Sequence, residues 1–471
     1  MLRIMTVIKS ALHDYGATGY IVGGFVRDRL LQIDTNDLDI VVDKDVFVVS
    51  RAVAEKLAGT LIVLDRENQV ARVAIKQQSG RTLHLDFSAL KGATIEEDLK
   101  HRDFTINAMA IPLMGDGNQL IDDVQGRSDL KAKKIRMVSP QAFAADPLRI
   151  LRALRLAAHL DMEIDEATLK AMAVSAEKIS AISGERIWEE LSQLLLNADS
   201  YQYIRLANDR VDLWRYIFPQ VNEMRGTEQN FYHRDNVWEH SLKTLCQLEG
   251  IIASPPLNHS IWSEVAADIN RKLAANRSYL VVLKLACLLH DVGKTITQGR
   301  RPDGRITFYG HDKAGVKFVK DFAQRIKLSK VEKSALLTLV EYHMRPLALF
   351  NQPKVSAGAM YRLFSKLDNL INHCLLLSLA DVTSTYLSTD NFEKLDQYRQ
   401  YIGQMFHLAI NEPEKYVHPP KLVTGHDLMQ HLGLTSSKEV GQLLDEISLA
   451  QVEGLVQSRE QALAYIKTKL K

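Results

Sequence analysis

The chain has 471 residues, of which 46% are hydrophobic and 25% are charged, and its formal net charge is +2. This composition excludes a disordered, collagen-like or low-complexity chain, and the length suffices for more than one hydrophobic core. No apolar run approaches the roughly 20 residues that span a bilayer, and the first 13 residues lack the continuous apolar core of a secretory signal. Three scattered cysteines do not form a disulfide framework or a zinc cluster, so we expect a cytoplasmic protein without a membrane partner.

Two different patterns divide the chain near residue 125. Before it, helical spacing predicts helices at about 3–15, 25–32 and 45–58, and β-branched runs predict strands at 20–22, 38–42, 60–64, 71–75 and 82–87. After it, helical spacing dominates, and residues 306–308 are one of few remaining strand candidates. The pattern predicts an α+β chain: a small head with a mixed β-sheet and helices, followed by a long all-α body.

A glycine pair follows the first predicted strand and opens a helical pattern. Gly23 and Gly24 let the backbone approach a phosphate, and the helix start offers free N–H groups to it. A tight turn is the alternative interpretation of such a pair.

Two carboxylates follow about a dozen residues later. Asp37 and Asp39 lie two apart on a predicted strand and therefore point to the same face. Carboxylates this close repel each other unless a cation lies between them. A third acid, Asp86, lies in another predicted strand and would complete a two-metal site for nucleotidyl or phosphoryl transfer. The alternative is an exposed strand edge with solvated acids.

Four sequence blocks carry a resemblance to a known family, and they occur in that family's order. They lie at 23–28, 37–39, 102–110 and 146–155. Together they resemble class II tRNA nucleotidyltransferases, the family of CCA-adding enzymes and bacterial poly(A) polymerases within the polymerase-β-like superfamily. The resemblance implies that Asp37 and Asp39 hold Mg²⁺ and that Asp86 joins them as a catalytic acid. It implies that the nucleotide-binding residues are Gly23, Gly24, Arg27, Arg102, Asp103, Asn107, Asp146, Arg149, Arg152 and Arg155.

The base-reading role that the resemblance gives to Asp146 and Arg149 has a physical basis. Cytosine and adenine each present an exocyclic amine beside a ring-nitrogen acceptor, which a carboxylate and a guanidinium match. The alternative is an i,i+3 surface ion pair. Between residues 127 and 160, eight Lys or Arg stand against two acids, which favours an RNA partner.

A second group of polar residues lies in the helical body. His240, His290, Asp291 and Asp381 supply nitrogen and oxygen ligands suited to a divalent transition metal, and Lys294 suits a phosphate. The alternative is a set of satisfied polar groups in the core. The series resembles HD-domain metal phosphohydrolases, in which His311 and His343 fall where members with a second metal place further ligands.

The resemblances imply a nucleotidyltransferase head (1–125), a helical neck for base recognition (126–200), a helical body with the HD domain (201–405) and a tail that contacts tRNA (406–471). The expected activity is addition of CMP and AMP to the tRNA 3′ end from CTP and ATP, with a second phosphohydrolase site. Open alternatives are an enzyme that adds only A or only CC, a poly(A) polymerase, an HD phosphohydrolase with a nucleotide-sensing head, and an RNA-binding protein with decayed sites.

Overall fold

The computed structural model describes residues 2–77, 80–114, 119–229, 235–432 and 438–469. The chain forms two compact units, and neither is one continuous segment. Unit 1 comprises Met1–Ile182 and Leu206–Ile217, and unit 2 comprises Ser183–Arg205 and Phe218–Lys471.

The strands lie mostly at the start of the chain, as the β-branched runs predict. They are β1 (Gly19–Val22), β2 (Asp37–Val42), β3 (Thr60–Asp65), β4 (Val70–Lys76), β5 (Thr82–Ala89), β6 (Ala110–Pro112), β7 (Lys134–Ile135), β8 (Glu163–Ile164), β9 (Lys272–Ala274), β10 (Arg277–Ser278), β11 (Gly299–Arg300) and β12 (Ile306–Thr307). The first six form one sheet in the order β3-β4-β5-β2-β1-β6. Only the β2–β5 pair in this sheet is parallel, so the predicted mixed sheet is confirmed.

Helices make up most of the remaining described structure. The first twelve are α1 (Leu2–Asp14), α2 (Gly24–Leu30), α3 (Val46–Leu57), α4 (Ile95–Lys100), α5 (Gly126–Lys131), α6 (Ala142–Ala145), α7 (Arg149–Leu160), α8 (Glu166–Ser175), α9 (Gly184–Leu196), α10 (Ser200–Leu206), α11 (Trp214–Ile217) and α12 (Val221–Gly226). The helices predicted in the head are therefore confirmed. Short 3₁₀ helices cover Thr105–Asn107, Ala176–Ala181 and Asp368–Leu370, and a π-helix covers Ala207–Val211.

Unit 2 contains the longer helices. They are α13 (Val237–Ala253), α14 (His259–Asn270), α15 (Tyr279–Leu289), α16 (Lys294–Thr297), α17 (His311–Arg325), α18 (Lys330–Tyr342), α19 (Arg345–Phe350), α20 (Ala357–Leu367), α21 (Ile371–Ser388), α22 (Phe392–Asn411), α23 (Pro413–Tyr416), α24 (Gly425–Leu432), α25 (Lys438–Val452) and α26 (Arg459–Lys469). Every residue of α15 is buried, and this helix packs against α13, α18 and α21. Apolar residues of α24, α25 and α26 form a separate small core near the end of the chain.

Side chains cap several of these helices and fix where they begin. The Asn236 side chain accepts a hydrogen bond from the backbone N–H of Glu239 at the start of α13. Ser329 and Glu332 form a reciprocal capping box at the start of α18. Among the described residues, no helix has both the length and the hydrophobicity that crossing a bilayer requires.

Candidate functional sites

The three acids predicted for the head lie on neighbouring strands of the sheet. Asp37 and Asp39 lie two residues apart on β2, and Asp39 is the in-register partner of Asp86 on β5. Side chains two apart on a strand share a face, and in-register neighbours share it too. All three carboxylates therefore lie on one face of the sheet, as the D-x-D spacing predicts for the first two.

Gly23 makes the closest approach to these acids. Its φ of 71° lies in the left-handed region, and a Cβ at this position would lie 2.7 Å from Asp39 Oδ2 and 3.3 Å from Arg102 Nη1. Any side chain here would be strained and would collide with the carboxylate. Gly23 is thus required by the packing around Asp39 rather than by a turn alone.

The electrostatics of Asp39 fit a bound cation. Burial raises the pKa of Asp39, and the nearby carboxylates Asp86 and Asp37 raise it further, while Arg102 and Arg152 lower it only in part. A carboxylate with a raised pKa, facing two other acids, is stabilised when a divalent cation supplies the missing positive charge. Oxygen ligands are the kind that Mg²⁺ prefers.

Arg72 on β4 also faces the acids, and sequence reasoning missed it. It forms a bidentate ion pair with Asp86, from Nε to Oδ1 and from Nη2 to Oδ2. Asp86 lies on the predicted face, but both of its oxygens are engaged by this arginine. The register of β4 against β5, which places Arg72 opposite Asp86, is the signal that could have identified the pair.

A cleft of about 320 Å³ opens beside Asp39. It brings together eight of the predicted residues, namely Gly23, Gly24, Asp39, Arg102, Asp103, Asn107, Arg149 and Arg152. The other lining residues are Asn68, Val70, Ser88, Ala89, Lys91, Asp98 and His101. Asp37, Asp86, Arg27, Asp146 and Arg155 do not line it.

Ion pairs and hydrogen bonds fix the polar side chains of this cleft. Asp103 accepts from Arg152 Nε at 2.6 Å and from Asn107 Nδ2 at 3.1 Å. Burial tends to raise the pKa of Asp103, but Arg152 and Asn107 outweigh it and the pKa is lowered. Arg27 lies behind the cleft and donates to Asn107 Oδ1 at 2.7 Å. Arg27 therefore supports the wall rather than lining it.

Arg149 and Asp146 lie around the start of α7. The Arg149 guanidinium donates to the backbone oxygens of His101 at 3.0 Å and of Arg102 and Ala142, both at 3.3 Å. Asp146 Oδ1 accepts from the backbone N–H of Leu148 at 3.2 Å. Their assignment to base reading stays a prediction.

The helical body brings all six predicted metal ligands together inside unit 2. Asp291 is central: its Oδ2 lies 3.5 Å from His240 Nε2 and 3.3 Å from His290 Nε2. Its Oδ1 lies 3.1 Å from His311 Nε2 and 3.7 Å from His343 Nε2. On the first side, Asp381 Oδ1 lies 2.8 Å from His240 Nε2 and 3.7 Å from His290 Nε2. All six residues are buried, and they form three overlapping groups of potential metal ligands.

Three of these histidines are oriented by backbone carbonyls, at the ends of α15 and α18 for His290 and His343 and just before α17 for His311. Nδ1 bonds a carbonyl three residues back at 2.8–2.9 Å in each case, in the pairs His290–Cys287, His311–Phe308 and His343–Val340. A carbonyl bonded to Nδ1 fixes the proton there and leaves Nε2 with a lone pair for a metal. His290 Nε2 is buried and has no hydrogen-bond partner, as expected of a metal ligand without its ion.

The charge state of the cluster also fits a divalent metal. Burial tends to raise the pKa of Asp291 and of Asp381, but the surrounding histidines lower both well below the usual range. Burial tends to lower the pKa of His290, but Asp291 and Asp381 raise it to about 10. In the metal-free cluster, protonated His290 therefore balances part of the carboxylate charge, and a divalent ion would replace the proton on its Nε2 and supply the positive charge instead.

Lys294 follows the cluster on α16 and contacts it directly. Its Nζ lies 2.6 Å from Asp291 Oδ2 and donates to Gln229 Oε1 at 2.8 Å. Gln229 was not predicted from the sequence, because it lies 65 residues away and in no recognisable motif.

A cleft of about 320 Å³ opens beside the cluster. It is lined by Lys294, Arg301, Arg305, Ile306, Thr307, Phe308, Tyr309, His311, Met344, Leu347, Asp381, Val382, Thr385 and Tyr386.

Family models match three parts of the chain. A model described as "Poly A polymerase head domain" matches residues 19–136. One described as "Probable RNA and SrmB- binding site of polymerase A" matches residues 161–225, and the HD domain model matches residues 237–386. Fold and site therefore define a nucleotidyltransferase head joined to an HD domain, as the resemblances predict.

Similar proteins extend the match to nearly the whole chain. The A-adding tRNA nucleotidyltransferase of Deinococcus radiodurans is 31% identical over 95% of this chain and 94% of its own length. The CC-adding tRNA nucleotidyltransferase of Geobacter sulfurreducens is 31% identical over 98% of this chain and 95% of its own length. The chain belongs to the tRNA nucleotidyltransferase family. A solved structure of a CCA-adding enzyme with CTP, 23% identical, shares the fold over 100% of this chain and 95% of the other, with a TM-score of 0.67.

Proposed function

We propose that the chain adds CMP and AMP from CTP and ATP to the 3′ end of tRNA and so builds or repairs its CCA terminus. The observation that carries the proposal is the contact of Gly23 with Asp39 on the acidic face of the sheet, beside a cleft lined by three arginines. The names of the two relatives support both halves of the activity, since one adds A and the other adds CC.

In this proposal, Asp37 and Asp39 hold Mg²⁺. When bound, Mg²⁺ stabilises charge on the attacking and leaving oxygens of nucleotidyl transfer. Arg102 and Arg152 balance the negative charge of the triphosphate, and Asp103 accepts a hydrogen bond from the ribose hydroxyl. The tRNA 3′ oxygen bonds to the α-phosphorus of the nucleotide, its proton is released, and pyrophosphate leaves.

Base choice is assigned to Asp146 and Arg149. A carboxylate accepts from the exocyclic amine of cytosine or adenine, and a guanidinium donates to the adjacent ring nitrogen. Uracil and guanine present a carbonyl oxygen in place of the amine, which the carboxylate repels. The helical tail after residue 406 is proposed to contact the tRNA.

Nucleotide addition to three tRNAs tests this proposal. They end before CCA, after one C and after CC, and each receives labelled CTP, ATP, GTP or UTP with Mg²⁺. Addition of C, C and A followed by a stop is expected. A stop after CC, addition of A to the CC-ended tRNA alone, or unlimited A addition would replace the proposal with a CC-adding enzyme, an A-adding enzyme or a poly(A) polymerase, respectively.

Two substitutions separate a catalytic head from a sensing one. Asp39→Asn should reduce incorporation by about 1,000-fold or more, because the substitution removes a charged metal ligand. Asp14→Asn, an exposed acid of α1, is the matched control and should leave incorporation unchanged. Full incorporation by Asp39→Asn would contradict the metal assignment.

For unit 2 we propose a metal-dependent phosphohydrolase that acts on phosphate esters through two divalent ions. The supporting observation is that each oxygen of Asp291 faces a different pair of histidines. Bound ions of this kind activate water and neutralise phosphate charge. Lys294, held by Gln229, then contacts the phosphate that is hydrolysed.

Metal analysis and phosphate-ester hydrolysis test this second proposal. Protein loaded with Mn²⁺, Co²⁺ or Ni²⁺ is expected to bind two ions in unit 2, in addition to any held by the head, and to hydrolyse bis-p-nitrophenyl phosphate. Asp291→Asn should lose both properties and keep nucleotide addition, whereas Asp321→Asn, an exposed acid on α17, should keep all three. A metal content in Asp291→Asn equal to that of the parent would contradict the assignment.

A further inference from the structure

The hairpin formed by β11 and β12 brings two arginines to the cleft beside the metal cluster. Arg301 and Arg305 lie at the two ends of its turn, where the backbone N–H of Arg301 donates to the Arg305 oxygen at 2.9 Å. The turn itself is closed by a hydrogen bond from Gly304 to the Arg301 oxygen at 2.9 Å, with Gly304 at a φ of 79°. The hairpin therefore pairs the two arginines through their backbones, and both line the cleft.

Neither arginine is neutralised by an ion pair with any residue that the structure describes. The Arg301 guanidinium donates to the Tyr309 hydroxyl and lies 5.7 Å from the centre of that ring. Asp303, in the same turn, uses Oδ1 to accept from the backbone N–H of Arg305 at 3.0 Å. Among the described residues, two exposed cations without a direct ion pair thus line a cleft whose proposed function requires phosphate.

Burial changes along the cleft lining. His311 and Asp381 are 6% and 7% exposed, whereas Tyr309 is 71% exposed. Lys294 is buried and already contacts Asp291. The metal ligands and Lys294 therefore form the floor, and the hairpin arginines and Tyr309 form the mouth. A phosphate hydrolysed on the floor is served by Lys294, so the arginines at the mouth are available for a different anionic group.

We propose that Arg301 and Arg305 form a second phosphate-binding position, which makes the cleft selective for nucleotides that carry a second phosphate in addition to the one hydrolysed. The proposal rests on the hydrolase function proposed above. A volume of about 320 Å³ suits one nucleoside between the two phosphate positions, and the exposed ring of Tyr309 offers a surface on which a base stacks. In the reaction, water oxygen bonds to phosphorus, the ester P–O bond breaks, and the ribose hydroxyl leaves with a proton.

Adenosine 3′,5′-bisphosphate, 3′-AMP and 5′-AMP provide matched substrates, because each monophosphate lacks one of the two phosphates of the bisphosphate. The Mn²⁺-loaded protein should hydrolyse the bisphosphate with a kcat/KM about 10- to 100-fold above the better monophosphate. R301A/R305A should lose this preference through KM and keep its activity on the monophosphates. R301K/R305K should retain part of it, and R300A should retain all of it, because Arg300 is on the same hairpin but does not line the cleft.

A binding measurement provides a readout that does not depend on metal. In chelator-treated protein, the bisphosphate should bind about 10-fold more weakly to R301A/R305A than to the parent, while 3′-AMP binding stays unchanged. An RNA oligonucleotide with a 3′-phosphate distinguishes the two sources of this chemistry. Preference for the oligonucleotide identifies an RNA end as the ligand, and preference for the bisphosphate identifies a free nucleotide.

Two outcomes would be informative failures. Equal hydrolysis of all three adenosine substrates by parent and R301A/R305A would overturn the second phosphate position and leave the hydrolase function standing. Absence of hydrolysis with every metal would overturn the hydrolase function, and unchanged binding of the bisphosphate in the chelated double variant would then overturn the arginine site as well.

Discussion

Arg72 donates two hydrogen bonds to Asp86, one to each carboxylate oxygen and both 2.7 Å long. Arg72 therefore supplies positive charge to the acidic face of the sheet in the absence of a metal. Arg72→Ala should lower the Tm of chelated protein by about 2–4 °C and enlarge the rise in Tm on adding Mg²⁺, because three carboxylates then repel one another. Arg72→Lys keeps the charge and should show a smaller change. Identical Mg²⁺ responses in Arg72→Ala and the parent would show that Asp86 does not influence the metal position.

Gly293, like Gly23, lies where a neighbouring atom leaves no room for a side chain. A Cβ there would lie 2.0 Å from the backbone oxygen of His311, at the start of α17. Gly293→Ala should displace His311, destabilise the protein by about 1–3 kcal/mol and reduce the metal bound per chain. Gly250→Ala is the matched control, because nothing lies within 4 Å of its added Cβ in helix α13. That control should stabilise the protein by about 0.5–1 kcal/mol. The idea fails if Gly293→Ala binds metal as the parent does.

Glu332 gives unit 2 a pH-dependent contribution to stability. This buried carboxylate accepts from Arg277 Nε at 2.6 Å, Ser329 N at 2.9 Å and Trp188 Nε1 at 3.2 Å. Burial tends to raise the pKa of Glu332, but Arg277 and Ser329 outweigh it, so the pKa lies below the ordinary value of 4.5. A lowered folded-state pKa stabilises the protein above pH 4.5, and this contribution disappears as the pH falls through the folded value.

Glu332→Gln should therefore have a lower Tm than the parent at pH 7, and the difference should shrink below pH 4.5. Thermal unfolding across pH 3–8 measures it. Glu264→Gln, an exposed position on α14, should follow the parent at every pH. A Tm difference that stayed constant down to pH 3 would mean that the Glu332 charge does not contribute to stability.

Arg149 provides a test of base selection. Its guanidinium is fixed by three backbone carbonyls, of His101, Arg102 and Ala142. Lysine keeps the charge but not the planar fork, so Arg149→Lys should lose about 10- to 100-fold of the discrimination of CTP and ATP against UTP and GTP. The ratio of kcat/KM values for the four nucleotides measures this loss. Arg51→Lys on α3 is the control, and unchanged ratios in Arg149→Lys would exclude Arg149 from base reading.

Much of the head could be predicted because its strands carry local signals. β-Branched runs located β1 to β5, and the two-residue spacing of Asp37 and Asp39 placed both on one face. The resemblance to HD-domain phosphohydrolases likewise pointed to all six potential metal ligands of unit 2. Local patterns sufficed in these cases because the residues either alternate along one strand or belong to recognisable blocks.

Contacts that depend on distant parts of the chain could not be predicted. The pairing of Arg72 with Asp86 requires the register between two strands, and Gln229 reaches Lys294 across 65 residues. Lys284 lies within the apolar run of α15, yet its ammonium group is buried and donates to Glu249 Oε1 at 2.6 Å. A charge inside an apolar pattern has no local signal that identifies its partner.

The interleaving of the two units has a consequence for synthesis on the ribosome. Unit 1 includes Leu206–Ile217, where Trp214 and Ile217 are buried, but residues 183–205 belong to unit 2 and are translated first. Unit 1 therefore cannot finish folding until a piece of unit 2 has already emerged. A truncated chain that stops at residue 182 would expose the apolar surface that the later segment covers, so unit 1 should be expressed through residue 217 at least.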